Sequence, residues 1–319
     1  MKVAFLTRYG ALGASSRVRA TQFGPALKEL GLRVSFWPLL ADPYLERRYA
    51  GRTAWREVLA AYFRRLRQLD EVRAADLLWI EKELLPFLPY AVEARLLRGR
   101  RYVLDFDDAI FHNYDMSGSA VVRRLLGRKI DRLMAGSTMV TAGNEYLATR
   151  ARAAGCRRVE RLPSVVDLDG YPIAHSAALA ANAPLRVVWI GSPSTVGYLE
   201  LVRAPLQRVA TWRAVQLRVI GATPPRWAGV EAIGLPWSQG SEAHDIAAAD
   251  VGIMPLRDSP WERGKCGYKL IQYMACGLPV IAAPVGVNAE IVSDGVDGLL
   301  AQSDDEWENA LLRLAVEPA

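Results

Sequence analysis

Apolar runs of strand length alternate with helix-period stretches along nearly the whole chain, and this alternation limits the fold more than any other feature. KVAFLT (2–7), LRVSFWPLL (32–40), DLLWIEK (76–82), RYVLDF (101–106) and TMVTAG (138–143) are predicted strands, and VERLPSVVD (159–167) closes the series. A helix over about 17–30, stopped at Gly31, separates the first two. Strands separated by helices build βαβ units and a parallel sheet. The pattern lapses over 170–184, GYPIAHSAALAANAP, where Ala, Ser, Asn and Pro replace it. It resumes with LRVVWIG (185–191), VQLRVIG (215–221), ADVGIMPL (249–256), PVIAAP (279–284) and GLLA (298–301). Helices are predicted at about 241–248, 267–276, 288–293 and 304–316. The expected fold class is α/β. Two Rossmann-like doubly wound domains, 1–169 and 185–303, are joined by a linker at 170–184 and followed by a C-terminal helix at 304–319. In such sheets ligands sit beyond the carboxyl ends of the strands, so the cleft between two such domains is the default site.

Composition removes several classes. Apolar residues at 51% and charged residues at 23% are too ordinary for a disordered chain. No apolar run approaches the ~18–20 residues of a membrane span. The opening MKVAFLTRYG, interrupted at Arg8, reads as a strand rather than a secretory signal. Cys156, Cys266 and Cys276 form no CxxC pair, and His112, His175 and His244 are scattered. Neither a disulfide framework nor a Cys or His metal cage is expected, and a reducing cytoplasm fits. The net charge of +6 divides into +10 over residues 1–170 and −4 over 171–319. That asymmetry argues against nucleic acid coating the whole surface. It suggests that the front half faces something anionic, such as lipid headgroups or a phosphorylated substrate.

Glycine-bearing loops follow the first strand of each half. Gly10 and Gly13 in YGALGASS lack the third glycine and the later acidic residue of the dinucleotide fingerprint, which demotes a nicotinamide enzyme. The loop lets a backbone approach a phosphate or sugar, with Arg17 and Arg19 behind it; the alternative is a plain strand–helix turn. In the second half Gly191 is followed by Ser192, Ser194 and Thr195 before a predicted helix, where hydroxyls and amides suit an anion. The segment ERGKCGYKLIQYMACGLPVIAAPVGVNAEIVSDGVDGLLA (262–301) is the most informative. Gly264 and Gly267 flank Lys265 just before a helix. The amides of Cys266, Gly267 and Tyr268, with Lys265 and Lys269, form an anion nest suited to a departing diphosphate.

This last segment resembles the signature of the retaining family 4 glycosyltransferases, which have the GT-B fold. MACGLPVIAAPVGVNAEIV and DGVDGLL carry the likeness, and KVAFLT with its glycine loop, LPSVVDLDGY and AADVGIMPL extend it. The resemblance implies two Rossmann-like domains facing each other across a cleft. It also implies metal-independent transfer of a sugar from a nucleotide diphospho-sugar, with retention at the anomeric carbon. No cofactor is expected beyond that co-substrate. Relatives carry Glu, seven residues, then Glu around this helix; here the places hold Gly264 and Gln272. The first glutamate contacts the donor sugar and the second the ribose, and Gln272 still offers hydrogen bonds. Glu262 lies two residues before Gly264. The basic pair after the first strand of the second domain is replaced by Gly191, Ser192 and Ser194, leaving Lys265 to supply the phosphate charge. Ile233, Gly234 and Leu235 in EAIGLPW (231–237) are candidates to hold the nucleobase through the main chain.

Two further features lie in the front half. LDFDDAIFH (104–112) places Asp105, Asp107 and Asp108 after an apolar strand, with His112 beyond. A metal-binding Asp-x-Asp is one reading. By resemblance, Asp107 instead takes the place of a histidine near the donor sugar and acceptor, where a carboxylate orients a hydroxyl or stabilises developing positive charge. Asp108 reads as a turn cap, and His112 as a loop histidine. Residues 44–73 interleave arginines, Arg64, Arg65 and Arg67 among them, with Tyr44, Trp55, Leu59, Tyr62, Phe63 and Leu66. Such a helix can lie in an anionic membrane interface or pack over its own sheet with snorkelling arginines. The chain is thus expected to be a cytoplasmic glycosyltransferase, peripheral on the inner face of the membrane, with a glycan or lipid-linked acceptor and no nucleic-acid partner. A sugar-nucleotide epimerase of the same fold and a non-catalytic sugar-binding protein are the alternatives.

Overall fold

The computed structural model describes residues 1–49, 51–52, 55–173 and 183–316. Residues 174–182 of the predicted linker lie outside the described residues. The chain divides into two compact units, Met1–Ser164 with Arg263–Cys266, and Val165–Glu262 with Gly267–Ala319. The short segment Arg263–Cys266 thus belongs with the first unit, although the sequence pattern assigns it to the second domain.

The first unit holds six parallel strands: β1 (Lys2–Leu6), β2 (Arg33–Phe36), β3 (Leu77–Glu81), β4 (Tyr102–Phe106), β5 (Met139–Ala142) and β6 (Val159–Arg161). Their order is β2-β1-β3-β4-β5-β6. The chain moves one way from β1 to β2 and then back across to β3, so the topological switch point lies between β1 and β3. β2 and β6 are shorter than their apolar runs, although the backbone pairing beside β1 continues past Pro38, where Leu39 and Leu40 donate to the Thr7 and Arg8 carbonyls at 2.9 Å. The helix predicted over 17–30 is broken into Ala14–Arg19, a 3-10 turn at Thr21–Phe23, and Gly24–Glu29. Pro25 is the cause: it sits in the first turn of the last piece, where its missing N–H costs nothing. The basic stretch at 44–73 forms two helices, Asp42–Tyr49 and Trp55–Glu71.

The second unit holds β7 (Leu185–Ile190), β8 (Val215–Ile220), β9 (Glu231–Leu235), β10 (Val251–Met254), β11 (Val280–Ala282) and β12 (Gly298–Leu300). The order β12-β11-β10-β7-β8-β9 puts the switch point between β7 and β10. β9 is a strand that the sequence pattern did not announce; it pairs in parallel with β8 from Gln216–Glu231 to Ile220–Leu235. Its alternation is weak because it is an edge strand, half-buried at best. One apolar cluster fills this unit, with Trp189, Leu217, Val219, Tyr273 and Ile281 almost inaccessible. The first unit buries charge as well. Lys129 is 1% exposed and its ammonium lies between the carboxylates of Glu83 (2.8 Å) and Glu93 (2.7 Å). Among the described residues, no helix is long and apolar enough to cross a membrane.

Candidate functional site

At the carboxyl ends of β1, β3 and β4 the first unit gathers charged side chains. β3 ends at Glu81, and Lys82 follows in the left-handed region with φ +68°. The Lys82 ammonium lies 2.9 Å from Asp107, 3.3 Å from Asp108 and 3.2 Å from the Ser15 hydroxyl. Lys265 reaches the other oxygen of Asp108 at 3.8 Å. Burial pushes the Asp107 carboxyl up. The Lys82 charge, hydrogen bonds from Ser15 and Lys82, and the more distant Arg19 outweigh it and hold the group below the usual carboxylate range. For Lys82 burial acts downward, but Asp107, Asp108 and Glu81 together drive its pKa well above the ordinary lysine value. Cys266 is nearby. Burial, then Asp107 and Asp108, raise its thiol well above the usual value, so it is neutral and a poor nucleophile at physiological pH.

Asp105 has a different employer from Asp107. It is 1% exposed and forms a two-pronged ion pair with Arg19, at 2.9 Å to Nε and 2.6 Å to Nη2, and it accepts from the Thr141 hydroxyl at 2.6 Å. The two aspartates therefore do not converge as an Asp-x-Asp ligand pair. Among the described residues no three His, Cys, Asp or Glu side chains are grouped to hold a metal. Arg17 and Arg19, expected behind the glycine loop, turn inward instead: Arg17 donates to the Ala11 carbonyl and Arg19 is held by Asp105. Gly13 caps the helix Ala14–Arg19 and packs on Tyr9. Asp108 is no turn cap, because its carboxylate faces lysines. His112 is no loose loop residue either; its ring lies 2.8 Å from both Asp115 and the Tyr146 hydroxyl.

In the second unit the loop after β7 sits at the switch point. A Cβ on Gly191 would collide with the Trp189 ring and lie 2.9 Å from the Lys269 ammonium, which itself stands 4.0 Å over that ring. Only glycine leaves this backbone open beside the cation. The hydroxyls beyond it bind one another: Ser192 Oγ is 2.8 Å from Ser194 Oγ, and the Thr195 hydroxyl accepts from the Ser192 N–H at 3.2 Å. They lead into a 3-10 helix, Val196–Val202, rather than the expected α-helix, and none caps it. Gly267 precedes the helix Tyr268–Ala275 with φ +65°, and a Cβ there would strike Ile291. Gln272 is 2% exposed and donates to the Tyr171 hydroxyl at 3.0 Å. On β9, Leu235 accepts from the Gly221 N–H at 2.9 Å, and Ile233 is half-buried. Nearby Trp237 donates from its indole to Glu242 at 2.6 Å.

Residues 184–316 match the family model described as Glycosyl transferases group 1. That stretch is similar to a group 1 glycosyltransferase domain. A D-inositol 3-phosphate glycosyltransferase from Actinosynnema mirum is 31% identical over 151 residues, covering 45% of this chain and 31% of that protein. The chain thus matches about a third of the length of that relative. Among solved structures, sucrose-phosphate synthase from Thermosynechococcus elongatus superposes with a TM-score of 0.70 at 16% identity, covering all of this chain and 90% of that one. Anabaena Alr3699/HepE, solved with UDP, superposes with a TM-score of 0.64 at 17% identity, covering 98% and 90%. The fold is that of the GT-B glycosyltransferases.

The structure redistributes the expected roles. Lys265 and Cys266 belong with the first unit, and Lys265 faces Asp108. The lysine against Gly191 is Lys269. Position 264, where the resemblance led to the expectation of a glutamate, has no room for a side chain, since a Cβ would lie 2.7 Å from the Ala109 nitrogen. Glu262 does not stand in for it freely, because it already accepts hydroxyl hydrogen bonds from Tyr198 and Ser259. Gln272 is tied to Tyr171 rather than open to a ribose. Arg65 departs from the expected role. It is 1% exposed, donating to the Thr7 carbonyl at 2.6 Å and the Trp37 carbonyl at 2.8 Å, so it braces the sheet and faces no acceptor or membrane. Arg64 and Arg67 are exposed. Sequence reasoning missed Lys82. Its signal was the run of three charges, Glu81, Lys82 and Glu83, closing an apolar strand.

Proposed function

We propose that this protein transfers a sugar from a nucleotide diphospho-sugar to a glycan or lipid-linked acceptor, with retention and without a metal ion. The observation that carries the reading is the Lys269 ammonium held beside the open Gly191 backbone at the switch point of the group 1 domain. Backbone amides and a fixed cation in that place suit a diphosphate, whose charge grows as the sugar leaves. Gly191, Ser192, Ser194 and Thr195 form the phosphate loop, Gly267, Tyr268 and Lys269 the facing helix start, and the β9 backbone at Ile233 and Leu235 the base contact. In the first unit Asp107, kept ionised by Lys82, accepts a hydrogen bond from a sugar hydroxyl, and Lys265 and Asp108 present further charge to polar substrate groups. The bond from the anomeric carbon to the diphosphate oxygen breaks, and the acceptor oxygen forms the new bond on the same face. The acceptor proton passes to the departing diphosphate, so no separate base is required.

The acceptor side of this reading extends to a membrane. On the helix Trp55–Glu71, Trp55, Leu59, Phe63 and Leu66 are exposed at 60, 50, 68 and 42% and follow one helical stripe, with exposed Arg56, Arg64 and Arg67 beside them. Apolar side chains rimmed by arginines fit the interface of an anionic bilayer, which supports work on a lipid-linked acceptor at the inner face of the cytoplasmic membrane.

The test is incubation with a panel of nucleotide sugars, UDP-glucose included because HepE has been solved with it, with and without candidate acceptors. Release of nucleoside diphosphate that depends on acceptor, with an α-linked product from an α-linked donor, is the expected result. Acceptor-independent release together with an epimerised sugar would establish the epimerase instead, and binding without turnover a sugar-binding protein.

A further inference from the structure

Three consecutive charged residues leave β3 in three directions. Glu83 donates its N–H to the Glu81 carbonyl at 2.8 Å, closing a three-residue turn around Lys82 at φ +68°. A turn of this kind with a positive central φ is rare and strained, and glycine is the residue that adopts it without cost. The three side chains then serve separate partners. Glu81 accepts from the Ser16 hydroxyl at 2.5 Å and from the Arg8 N–H at 2.8 Å. Glu83 takes Arg8, Lys129 and Tyr114. Lys82, 4% exposed, points at Asp107, Asp108 and Ser15, while its own N–H donates to the Asp105 carbonyl at 2.8 Å. The strain thus delivers one buried ammonium to two carboxylates at the strand ends. Strained residues over-determined by their surroundings collect where geometry serves function.

We propose that Lys82 is the positioning residue of the Asp107–Asp108 pair, fixing both carboxylates in orientation so that Asp107 meets a sugar hydroxyl as a hydrogen-bond acceptor. The inference rests on the transferase reading of Asp107 given above. The groups that face or electrostatically reach Asp107 are Ser15, Lys82, Arg19, Glu81 and Cys266. Of the two cations among them, Lys82 is the one in contact, and Arg19 is already held by Asp105.

Glycine at position 82 separates backbone from charge, because it suits the turn and removes only the ammonium. With the full chain and UDP-glucose, and released UDP as readout, Lys82→Gly is expected to fold, to lower kcat about 100-fold and to leave donor KM within about threefold. Propylammonium should recover part of the loss, and butanol none. In the Asp107→Asn background, Lys82→Gly should cost less than about threefold more, since the two act as a unit. Wild-type kcat in folded Lys82→Gly, or independent losses in the double variant, would overturn the proposal and leave the transferase reading standing. If Lys82→Gly fails to fold, Lys82→Arg decides: kcat within about tenfold of wild type is expected, and a folded Lys82→Arg with no turnover overturns the proposal. If the wild type turns over no nucleotide sugar, the transferase reading has failed, and the carbon-13 titration of the Asp107 carboxyl decides on Lys82. It should move up in Lys82→Gly, and an unmoved titration overturns the proposal.

Discussion

Both sheets place a glycine-bearing loop at their switch point, after β1 in the first unit and after β7 in the second, yet the residues gathered there differ in kind. The first unit meets its loop with Lys82 ion-paired to Asp107 and Asp108 and with a buried Glu81 that accepts from Ser16 and the Arg8 N–H. The second meets its loop with hydroxyls, a bare glycine and a single lysine laid on an indole. The contrast runs into the cores. The first unit buries Arg19, Arg65, Lys82 and Lys129 with their carboxylate or carbonyl partners, whereas the charged groups the second unit buries among the described residues are the carboxylates Glu242 and Glu262. One topology therefore supports two chemistries. In the reading proposed above, the first unit's pre-paired carboxylates suit a neutral polyol as fixed hydrogen-bond acceptors. In the same reading, the second unit's glycine backbone, with Lys269 beside it, suits a ligand that brings its own negative charge.

The largest effect should come from unbalancing the first unit's buried charge. Lys129→Met strips Glu93 of its cation and leaves Glu83 with Arg8 alone, and removing one member of a buried pair costs about 3–5 kcal/mol. Hydrogen exchange should show lost protection in β3 and β4 with β7 and β8 unchanged. Equal loss in both sheets would show that the units unfold as one body and that the contrast has no energetic boundary.

A middle-sized effect separates the two lysines. If the second unit's open loop takes the diphosphate, Lys269→Ala should weaken UDP binding by roughly 1.5–3 kcal/mol, the range for a hydrogen bond to a charged group. Lys265→Ala should change it by less than about threefold, because Lys265 faces Asp108. Calorimetry measures both. The reverse ranking would return the phosphate charge to Lys265 and dissolve the distinction between the two surfaces.

The legible part of this molecule was its periodicity. Most strands announced themselves because buried parallel strands are continuous apolar runs. The edge strand β9 did not, with exposed Glu231 and Gly234 interrupting its pattern. The candidate residues were found where chemistry is local, as in the glycine before Ser192 or the aspartates after β4. They were misassigned where a side chain's direction depends on tertiary contact. Arg65 looks like its neighbours Arg64 and Arg67 in a linear reading, but helical phase turns it under the helix to the Thr7 and Trp37 carbonyls. Gly264 looks like a lost glutamate, and the structure gives the reason in the Ala109 backbone that fills the space. Lys82 was hidden because nothing in a one-dimensional pattern signals a positive φ at a lysine.

The smallest effect per residue tests the outer face of the first unit against everything in the second. If the helix Trp55–Glu71 meets a bilayer, the protein should co-sediment with anionic vesicles more than with neutral ones. Each basic residue near such a surface contributes about 1 kcal/mol. Replacing Arg56, Arg64 and Arg67 by glutamine should therefore reduce binding on the order of 100-fold, with UDP affinity unchanged. Salt should do the same to the wild type, since the Debye length falls from ~10 Å at 0.1 M to ~3 Å at 1 M. Phe63→Ser should weaken binding in a way that high salt does not mimic, because it removes apolar contact rather than charge. Arg65 is left out of the set, since its loss would strip donors from the Thr7 and Trp37 carbonyls and disturb the sheet itself. Equal pelleting with neutral and anionic vesicles, or none with either, would assign the stripe a role other than lipid and point to an acceptor met in solution.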